Sequence, residues 1–426
     1  MSQEKFKKYF QFFLVVLAAG SIYPLIYLKS GYQESILQVF NMTNAQLNSM
    51  YTILGWVFVF GYLPSGILSD RFSAKKLLAI SLFFTGLGGL WFAQIPSYEY
   101  IMVIFAIWGF FSVFTFWSAH MKIVKLLATE KEQGTFFGVL DGGRGVVEAL
   151  LASLALFIFS GILGDSLVVA DKASALIAVI YMYSAVLIVT SVLVWFFVQD
   201  DKKVLALDAS KKEATKSPEF KFSELGNLFK NKKVYILGGI IFMGYAVFWT
   251  YYYLSWFLET YVGIDPVSVA GTMVVVMWMR PVGGFIGGYM ADKIGRTTVQ
   301  MIALTGAAAC LVAISVIPVT GNTGLFQPLV IVLGIFLYAI RGTYWSLLGD
   351  LKLDAFIIGT AIGAVSFIGY MPDIILPDFN TFLWKTFGDL GGFNAYFLSS
   401  AAFAMAGVVL VFIFSVVLKK ENKAHK

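Results

Sequence analysis

The stretch GILSDRFSAKK, residues 66–76, returns in altered form as GYMADKIGRTT, residues 288–298. The two copies are 222 residues apart. A second pair, TFWS (115–118) and TYWS (343–346), repeats at an offset of 228 residues. Because two separate motifs recur at nearly the same spacing, the chain is predicted to contain two parallel structural repeats.

The composition places both repeats in a lipid bilayer. Hydrophobic residues make up 59% of the 426 residues and charged residues only 13%, against roughly 25% charged residues in a soluble domain. A helix that spans a bilayer needs about 20 mostly apolar residues. Twelve stretches are predicted as transmembrane helices: 10–29, 46–69, 75–95, 99–125, 134–163, 172–198, 233–259, 266–290, 297–318, 326–350, 354–376 and 393–418.

The longest polar segment separates six of these helices from the other six. We therefore predict an N-terminal six-helix bundle at 1–198, a cytoplasmic linker at 199–232 and a C-terminal six-helix bundle at 233–426. The first apolar run also has features of a signal peptide, since residues 18–20 resemble a cleavage site. The run continues to Tyr27, however, and removing it would leave the seventh helix without its repeat partner.

Basic residues predict the orientation. With the N-terminus in the cytoplasm, 25 of the 31 Lys and Arg residues fall on cytoplasmic segments, as the positive-inside rule requires. Lys29, Lys172 and Lys385 fall outside, and the remaining three basic residues lie inside predicted helices. We expect a multi-pass protein of the plasma (inner) membrane with both termini cytoplasmic. The net charge of +6 follows from this asymmetry and gives no reason to expect nucleic-acid binding.

The repeated motif resembles the loop motif of the major facilitator superfamily, Gly-x-x-x-Asp-(Arg/Lys)-x-Gly-(Arg/Lys)-(Arg/Lys). The first copy has Ser73 where the motif has its second glycine, and the second copy ends in Thr297. The resemblance covers nearly the whole chain. It implies an all-α membrane protein with 12 transmembrane helices in two pseudo-symmetric six-helix bundles, a secondary transporter that functions as a monomer.

The resemblance also implies that the motif residues latch the outward-open state. The glycines permit close helix contact, and the aspartates lie where a carboxylate can meet a helix N-terminus. The alternative is a solvated turn that only retains charge on the cytoplasmic side. The residues expected in this gate are Gly66, Asp70, Arg71, Gly288, Asp292, Lys293 and Arg296.

The fifth predicted helix contains three ionisable residues in an apolar stretch, Asp141, Arg144 and Glu148. At about 100° per residue they lie within about 60° of one another. Intramembrane charges usually face a bundle interior or a watery cavity and have partners. Three interpretations stay open: a structural or gating network, coupling to proton movement with Glu148 as the deeper carboxylate, and direct substrate contact.

Two arginines near the middle of predicted helices have no carboxylate within one helical turn, Arg280 and Arg341. Arginine keeps its proton and offers a planar fork of donors that suits carboxylate, phosphate or sulfonate. We expect at least one of the two to contact an anionic substrate. The alternative is pairing across helices with Asp141, Glu148 or Asp373.

Several aromatic residues are candidates for the wall of a central cavity, although packing in the core or against lipid is the alternative for each. Helix seven is the repeat partner of helix one, and helix ten of helix four. The aromatic substrate-site candidates are Tyr23, Trp117, Tyr245, Trp249 and Trp345.

Three other residues receive less weight. His120 is predicted as a helix-end cation rather than a proton relay, and Asp373 as an external gate or helix-end residue. Cys310 is the single cysteine, which excludes a disulfide within the chain. The sequence contains no metal-ligand spacing, phosphate-binding loop or catalytic constellation, so neither an enzyme activity nor a cofactor is predicted.

These features predict a secondary active transporter that moves a small organic anion of the carboxylate or phosphate/sulfonate class by alternating access. A proton or a counter-anion would be the coupled species. The alternative is efflux of neutral or cationic hydrophobic compounds, in which Arg280 and Arg341 are internally paired and Asp141 or Glu148 faces the cavity.

Overall fold

A computed structural model gives the fold of most of the chain. In the described residues every regular element is helical, so the predicted all-α membrane fold is confirmed. The predicted linker at 199–232 lies almost entirely outside these residues. The structure describes residues 3–127, 133–200, 232–347 and 365–424.

The chain divides into two compact units, Met1–Ser217 and Pro218–Lys426. The described part of unit 1 contains six helices, of which the first and the fourth are each in two parts. They are α1a (Gln3–Ile26), α1b (Lys29–Val39), α2 (Asn44–Arg71), α3 (Ala74–Phe92), α4a (Tyr98–Gly109), α4b (Trp117–Leu127), α5 (Gln133–Leu163) and α6 (Val169–Phe197).

Unit 2 repeats this order with its own interruptions. Its last helical element, Pro372–Ala424, bends at Gly388 (φ 72°), and we call the parts before and after the bend α11 and α12. The helices before it are α7a (Lys232–Phe248), α7b (Tyr251–Thr260), α8 (Pro266–Ile294), α9 (Arg296–Val316) and α10 (Thr323–Tyr344).

The described residues form ten helices that are long and apolar enough to cross a membrane. One of these spans, Val365–Lys420, contains both α11 and α12. When these two are counted separately and α2 is added, the spans correspond to the twelve predicted helices. Ten helices of this length and composition make the chain an integral membrane protein.

The same helix pairs pack together in both units. In unit 1, α2 packs on α4 and α3 packs on α6; in unit 2, α8 packs on α10 and α9 packs on the α11–α12 element. Likewise α1 contacts α5 and α6, and α7a contacts the α11–α12 element. The repeat seen in the sequence is therefore a repeat of helix packing.

Local sequence sets where the helices begin. Thr43 and Gln46 form a reciprocal cap at the start of α2, with the Gln46 N–H donating to Thr43 Oγ1 (3.2 Å) and the Thr43 N–H to Gln46 Oε1 (2.9 Å). Asp265 accepts from the Ser268 N–H (2.8 Å), and Pro266 occupies the first position of α8. Both arrangements satisfy backbone donors that a helix start leaves open.

Two predicted helix ends are wrong. Helix one, predicted to end at 29, continues after a short break to Val39. Helix eleven, predicted to end at 376, continues to the bend at Gly388. In both places polar residues suggest a membrane boundary in the sequence, but the polar side chains of Lys29, Gln33 and Asn380 are buried within the protein.

Two lysines predicted to lie in outside loops are also buried. Lys29 has no exposed surface, and its Nζ lies 4.1 Å from the centre of the Tyr51 ring. Lys172 is buried on α6 and donates to Gln38 Oε1 (3.0 Å). Burial of these groups is tolerated because an aromatic ring face and an amide oxygen replace water around the ammonium.

The tight contact between α1a and α5 gives a test of the packing. A Cβ added at Gly20 would lie 2.5 Å from Val147 Cβ and 3.0 Å from the Arg144 carbonyl oxygen, whereas a Cβ at Gly142 on α5 meets nothing within 4 Å. We expect Gly20→Ala to destabilise unit 1 by about 1–3 kcal/mol, the usual cost of overpacking.

Thermal unfolding of the purified protein in detergent measures this effect. Gly142→Ala is the matched control and should unfold at the wild-type temperature or slightly above it, because alanine favours helix over glycine. Equal melting temperatures for Gly20→Ala and Gly142→Ala would contradict the contact.

Candidate functional site

The first helix of each unit is broken at the same repeat position. Helix α1 is interrupted at residues 27–28 and helix α7 at residues 249–250, an offset of 222 residues that equals the offset of the loop motif. The Tyr51 hydroxyl donates to the Ile26 carbonyl (2.7 Å) at the first break, and Thr250 Oγ1 donates to the Val247 carbonyl (2.7 Å) at the second. Leu28 and Thr250 keep helical dihedrals, so each interruption is a change of hydrogen-bond register: the Ser30 and Tyr253 N–H groups donate to the third residue before them instead of the fourth.

In unit 2 the break in α7 lies beside a buried carboxylate. Asp373, in the first turn of α11, is only 3% exposed. Its Oδ1 accepts hydrogen bonds from the Tyr245 hydroxyl (2.8 Å) and from Trp249 Nε1 (3.0 Å). The sequence predicted Asp373 as an external gate or helix-end residue. It does lie at a helix end, in the first turn of α11, but its side chain is a buried acceptor held by Tyr245 and Trp249.

Arg341 on α10 is the cation of this region. Its guanidinium carbon lies 4.6 Å from the centre of the Phe248 ring and 5.8 Å from that of Tyr245, within the range of a cation–π contact. Among the described residues it has no carboxylate within 4.0 Å and donates no hydrogen bond. A guanidinium stacked on a ring keeps its N–H groups pointing outward in its own plane, where an anion can accept them.

A further aromatic contact joins α10 to α11. Trp345 Nε1 donates to the Tyr370 hydroxyl (3.0 Å), and the Tyr370 ring meets the Tyr245 ring edge to face at 4.9 Å. The structure thus brings four predicted substrate residues together around Asp373, namely Arg341, Tyr245, Trp249 and Trp345. We call this set, with Phe248 and Tyr370, the α7–α10–α11 site.

Sequence reasoning missed Phe248 and Tyr370. Phe248 is three residues after Tyr245 on the same helix face, so extending the aromatic stripe of helix seven by one position would have found it. Tyr370 precedes Pro372 by two residues, at the break before α11, and nothing in the sequence marks its contact with Trp345. Arg280, the other predicted arginine, is half-buried on α8 and engages partners of its own.

In unit 1 the structure describes one ion pair of the predicted charge cluster. Arg144 Nε and Glu148 Oε1 form an ion pair at 2.9 Å, and both side chains are largely buried. Asp141 lies on an exposed part of α5. The Arg144 guanidinium stacks on the Tyr23 ring (4.8 Å), and the Tyr23 hydroxyl donates to the Ser112 carbonyl (3.1 Å) in the π-helical turn of α4.

His120, predicted as a helix-end cation, has an interior side chain. It is buried in α4b, and its ring stacks on Phe116 (4.8 Å) and meets Trp117 edge to face (5.5 Å). Its Nδ1 lies 3.2 Å from the Phe116 carbonyl oxygen. Trp117, a predicted substrate residue, is therefore packed between His120 and Tyr62, an arrangement that favours core packing.

In both units the segments that carry the two repeated motifs are joined by hydrogen bonds. In unit 1 Ser65 Oγ accepts from the Ser118 N–H (3.0 Å), and Lys122 Nζ donates to the Ser69 carbonyl (2.6 Å). In unit 2 Arg296 Nη1 donates to the Ser346 carbonyl (3.2 Å). The loop motif is thus tied to the TFWS or TYWS segment, which connects the expected gate to helices α4 and α10.

The two loops differ at one motif position. Gly295 has φ 94°, a conformation that L-residues rarely adopt, whereas Ser73 has φ −64°. The serine in the first copy is therefore tolerated because that turn needs no glycine. Lys293 stacks on Tyr289 (4.5 Å) and Arg71 is exposed; the surroundings of the other gate candidates, Gly66, Asp70, Gly288 and Asp292, lie outside the described part of the structure.

Comparisons with known proteins agree with this architecture. A family model described as Major Facilitator Superfamily matches residues 9–377. The chain is 25% identical to inner membrane protein YqcE of Escherichia coli (strain K12), over 88% of this chain and 87% of YqcE. It is 23% identical to the probable galactarate/D-glucarate transporter GudP of Bacillus subtilis (strain 168), over 92% of this chain and 89% of GudP.

A solved structure shares the fold. The crystal structure of a mutant of the nucleoside transporter NupG superposes with a TM-score of 0.73, covering 96% of this chain and 99% of that one at 15% identity. At this identity the likeness concerns the arrangement of helices alone. The residues that bind a substrate have to be argued from this chain's own geometry.

The Arg144–Glu148 pair can be tested by removing one charge or both. We expect Glu148→Leu to destabilise the protein by up to about 3–5 kcal/mol, since losing one partner leaves a largely buried charge uncompensated. The double variant Arg144→Met/Glu148→Leu should recover much of this loss. The unfolding temperatures of the purified variants measure these effects. A double variant that is as unstable as the single one would contradict a pairwise interaction.

Proposed function

We propose that this chain, which belongs to the Major Facilitator Superfamily, carries a small organic anion across the membrane by alternating access. The substrate is of the carboxylate or phosphate/sulfonate class, and Arg341 is its anchor. The chain is a transporter rather than an enzyme, so the function resides in binding and release. The two six-helix bundles, 1–198 and 233–426, alternate in exposing the substrate to either side.

The state of Arg341 is the observation that carries this proposal. Within the described residues its guanidinium is stacked on aromatic rings and makes neither an ion pair nor a hydrogen bond. A half-buried arginine in this state has a planar set of donors available for a carboxylate or phosphate. Tyr245 and Trp345 lie beside it and supply ring faces against which the apolar part of an organic anion can pack.

The similarity to GudP supports an organic anion, because that relative is named as a probable galactarate/D-glucarate transporter. The similarity to NupG points elsewhere, since a nucleoside is uncharged, but it rests on 15% identity. The charge at the site supports one of these two substrate classes. A cation held in a ring of aromatics favours the anion.

The coupling scheme uses a proton or a counter-anion. In unit 1 the Arg144–Glu148 ion pair satisfies both charges at 2.9 Å, which supports a structural or gating role over proton transfer for these residues. The motif loops and their contacts to α4 and α10 act in closure. We place the protein in the inner membrane as a monomer with both termini cytoplasmic, following the distribution of its basic residues.

Efflux of a lipophilic cation is the second candidate, and one observation favours it. Asp373 is a buried carboxylate among Tyr245, Trp249 and Tyr370, and aromatic rings around a carboxylate are also what an organic cation binds. Under this alternative Arg341 only balances the charge of Asp373, and removing Arg341 would strengthen ligand binding.

A thermal-shift panel on the purified protein tests the proposal. The panel contains D-glucarate, citrate, glucose 6-phosphate, an alkyl sulfonate, glucose, uridine and tetraphenylphosphonium. A ligand that binds the folded state raises the melting temperature by mass action. We expect stabilisation by one anion class, abolished in Arg341→Ala and weakened about tenfold or more in Arg341→Lys, because hydrogen bonds to charged groups contribute about 1.5–3 kcal/mol.

Lys385→Ala is the matched control, since it removes one positive charge from an exposed position of α11. It should leave the ligand-induced shift unchanged. Stabilisation by tetraphenylphosphonium alone, retained or increased in Arg341→Ala, would establish the efflux alternative. Stabilisation by glucose or uridine that is insensitive to Arg341 would refute the anion class.

A further inference from the structure

Asp373 holds its two hydrogen bonds on one oxygen. The Tyr245 hydroxyl and Trp249 Nε1 both donate to Oδ1. Within the described residues Oδ2 accepts no hydrogen bond, although the side chain is buried. A carboxylate that is fixed through one oxygen and unoccupied on the other can take a proton at the second oxygen without losing the contacts that orient it.

The charges around Asp373 also permit a change of its protonation state. The titratable or charged groups that face it are Tyr245 on α7a, Arg341 on α10 and Tyr370 at the break before α11. Arg341 acts on it at longer range, since no cation of the described residues lies within 4.0 Å. Glu148 differs, because its carboxylate is paired directly with Arg144 at 2.9 Å.

A polar stripe leads away from Asp373 along the inner face of α11. Asn380 and Trp384 follow at i+7 and i+11, which return to the same face of a helix. At 1.5 Å per residue they lie about 10 Å and 16 Å further along its axis. Pro377 lies between them and Asp373. It has no N–H to donate, so the Asp373 carbonyl loses its ordinary helical partner.

Beyond Asn380 the stripe continues with polar atoms that need a partner. Trp384 Nε1 is buried and has no hydrogen bond among the described residues, and the Tyr396 hydroxyl and Ser400 Oγ are buried next to each other and need further partners. Tyr253 packs near both aromatic members of this set: its ring centre lies 5.1 Å from that of Tyr396 and 6.1 Å from that of Trp384. Because buried polar groups are almost always hydrogen-bonded, ordered water is the partner that can reach all three.

We propose that Asp373 binds and releases a proton at Oδ2, and that this proton travels through unit 2 along the polar stripe of Asn380, Trp384, Tyr396 and Ser400. On uptake an O–H bond of a hydronium ion in the stripe breaks as an O–H bond forms on Oδ2, and the carboxylate becomes a carboxylic acid. Release reverses the step and returns the proton to a water molecule held by the stripe, whose Trp and Asn side chains orient the water rather than carry the proton. The inference depends on the proposed function in one respect: in the transport cycle, this proton moves together with the organic anion.

Infrared difference spectroscopy tests the protonation without any substrate. The wild-type protein, reconstituted in lipid, is stepped from alkaline to mildly acidic buffer, and the C=O stretch of newly formed carboxylic acid is recorded. We expect a band of a buried carboxyl that is absent in Asp373→Asn and present in Asp378→Asn. Asp378 is the matched control, an exposed carboxylate on the same helix.

The route is tested by the rate at which this band appears after the step. Trp384→Phe removes Nε1–H but keeps an aromatic ring, and Trp256→Phe removes the same indole volume from a ring stacked on Trp384 at 5.4 Å. We expect Trp384→Phe and Ser400→Ala to slow the band several-fold and Trp256→Phe to leave its rate unchanged.

Each outcome bears on a different statement. A wild-type band that survives in Asp373→Asn overturns the protonation site. Equal slowing in Trp384→Phe and Trp256→Phe overturns the route, because packing rather than the polar atom then sets the rate. Because these measurements use only the proton, they stand even if the ligand panel shows that the transported molecule is no anion.

Discussion

Every backbone polar group of this chain that lies at membrane depth has to find its partner inside the protein, and the architecture depends on that constraint. It makes the described structure helical throughout, and it decides where a helix can be broken. At the break in α1 the Tyr51 hydroxyl donates to the Ile26 carbonyl, and at the break in α7 the Thr250 hydroxyl adds a second hydrogen bond to the Val247 carbonyl, which also accepts the Thr250 N–H. Hydroxyl donors thus accompany the change of hydrogen-bond register at both repeat-equivalent positions.

The same constraint organises the charges. A charge in a bilayer survives when a partner or an aromatic face replaces water, and four buried or half-buried cations of the described residues illustrate this. Lys29 lies over Tyr51, and Lys172 donates to Gln38. Arg144 pairs with Glu148 and stacks on Tyr23, and Arg341 stacks on Phe248. Of the two arginines, Arg341 is the one whose hydrogen-bonding capacity stays unused within the described residues, which is why the function is sought in unit 2.

Much of this could be predicted from the sequence, and the limits have physical causes. Hydropathy and the repeat locate the helices, and the rarity of arginine singles out Arg341, since these signals are local. The helix breaks could not be predicted, because they depend on donors from other residues, such as Tyr51 on α2. The burial of His120 and Asp373 could not be predicted for the same reason. Phe116 and Trp117 pack against His120, and Tyr245 and Trp249 donate to Asp373, and only the folded chain brings these groups together.

The repeat-equivalent tyrosines, Tyr23 and Tyr245, show how two similar halves acquire different chemistry. Each ring faces an arginine, but Tyr23 donates its hydroxyl to the backbone carbonyl of Ser112, whereas Tyr245 donates to a carboxylate. A peptide carbonyl is not a titratable group, whereas a carboxylate is one. The duplicated scaffold thus contains two equivalent tyrosine hydrogen bonds, one to an acceptor that cannot titrate and one to an acceptor that can. The contact in the C-terminal half is therefore the one that a change in proton concentration can alter.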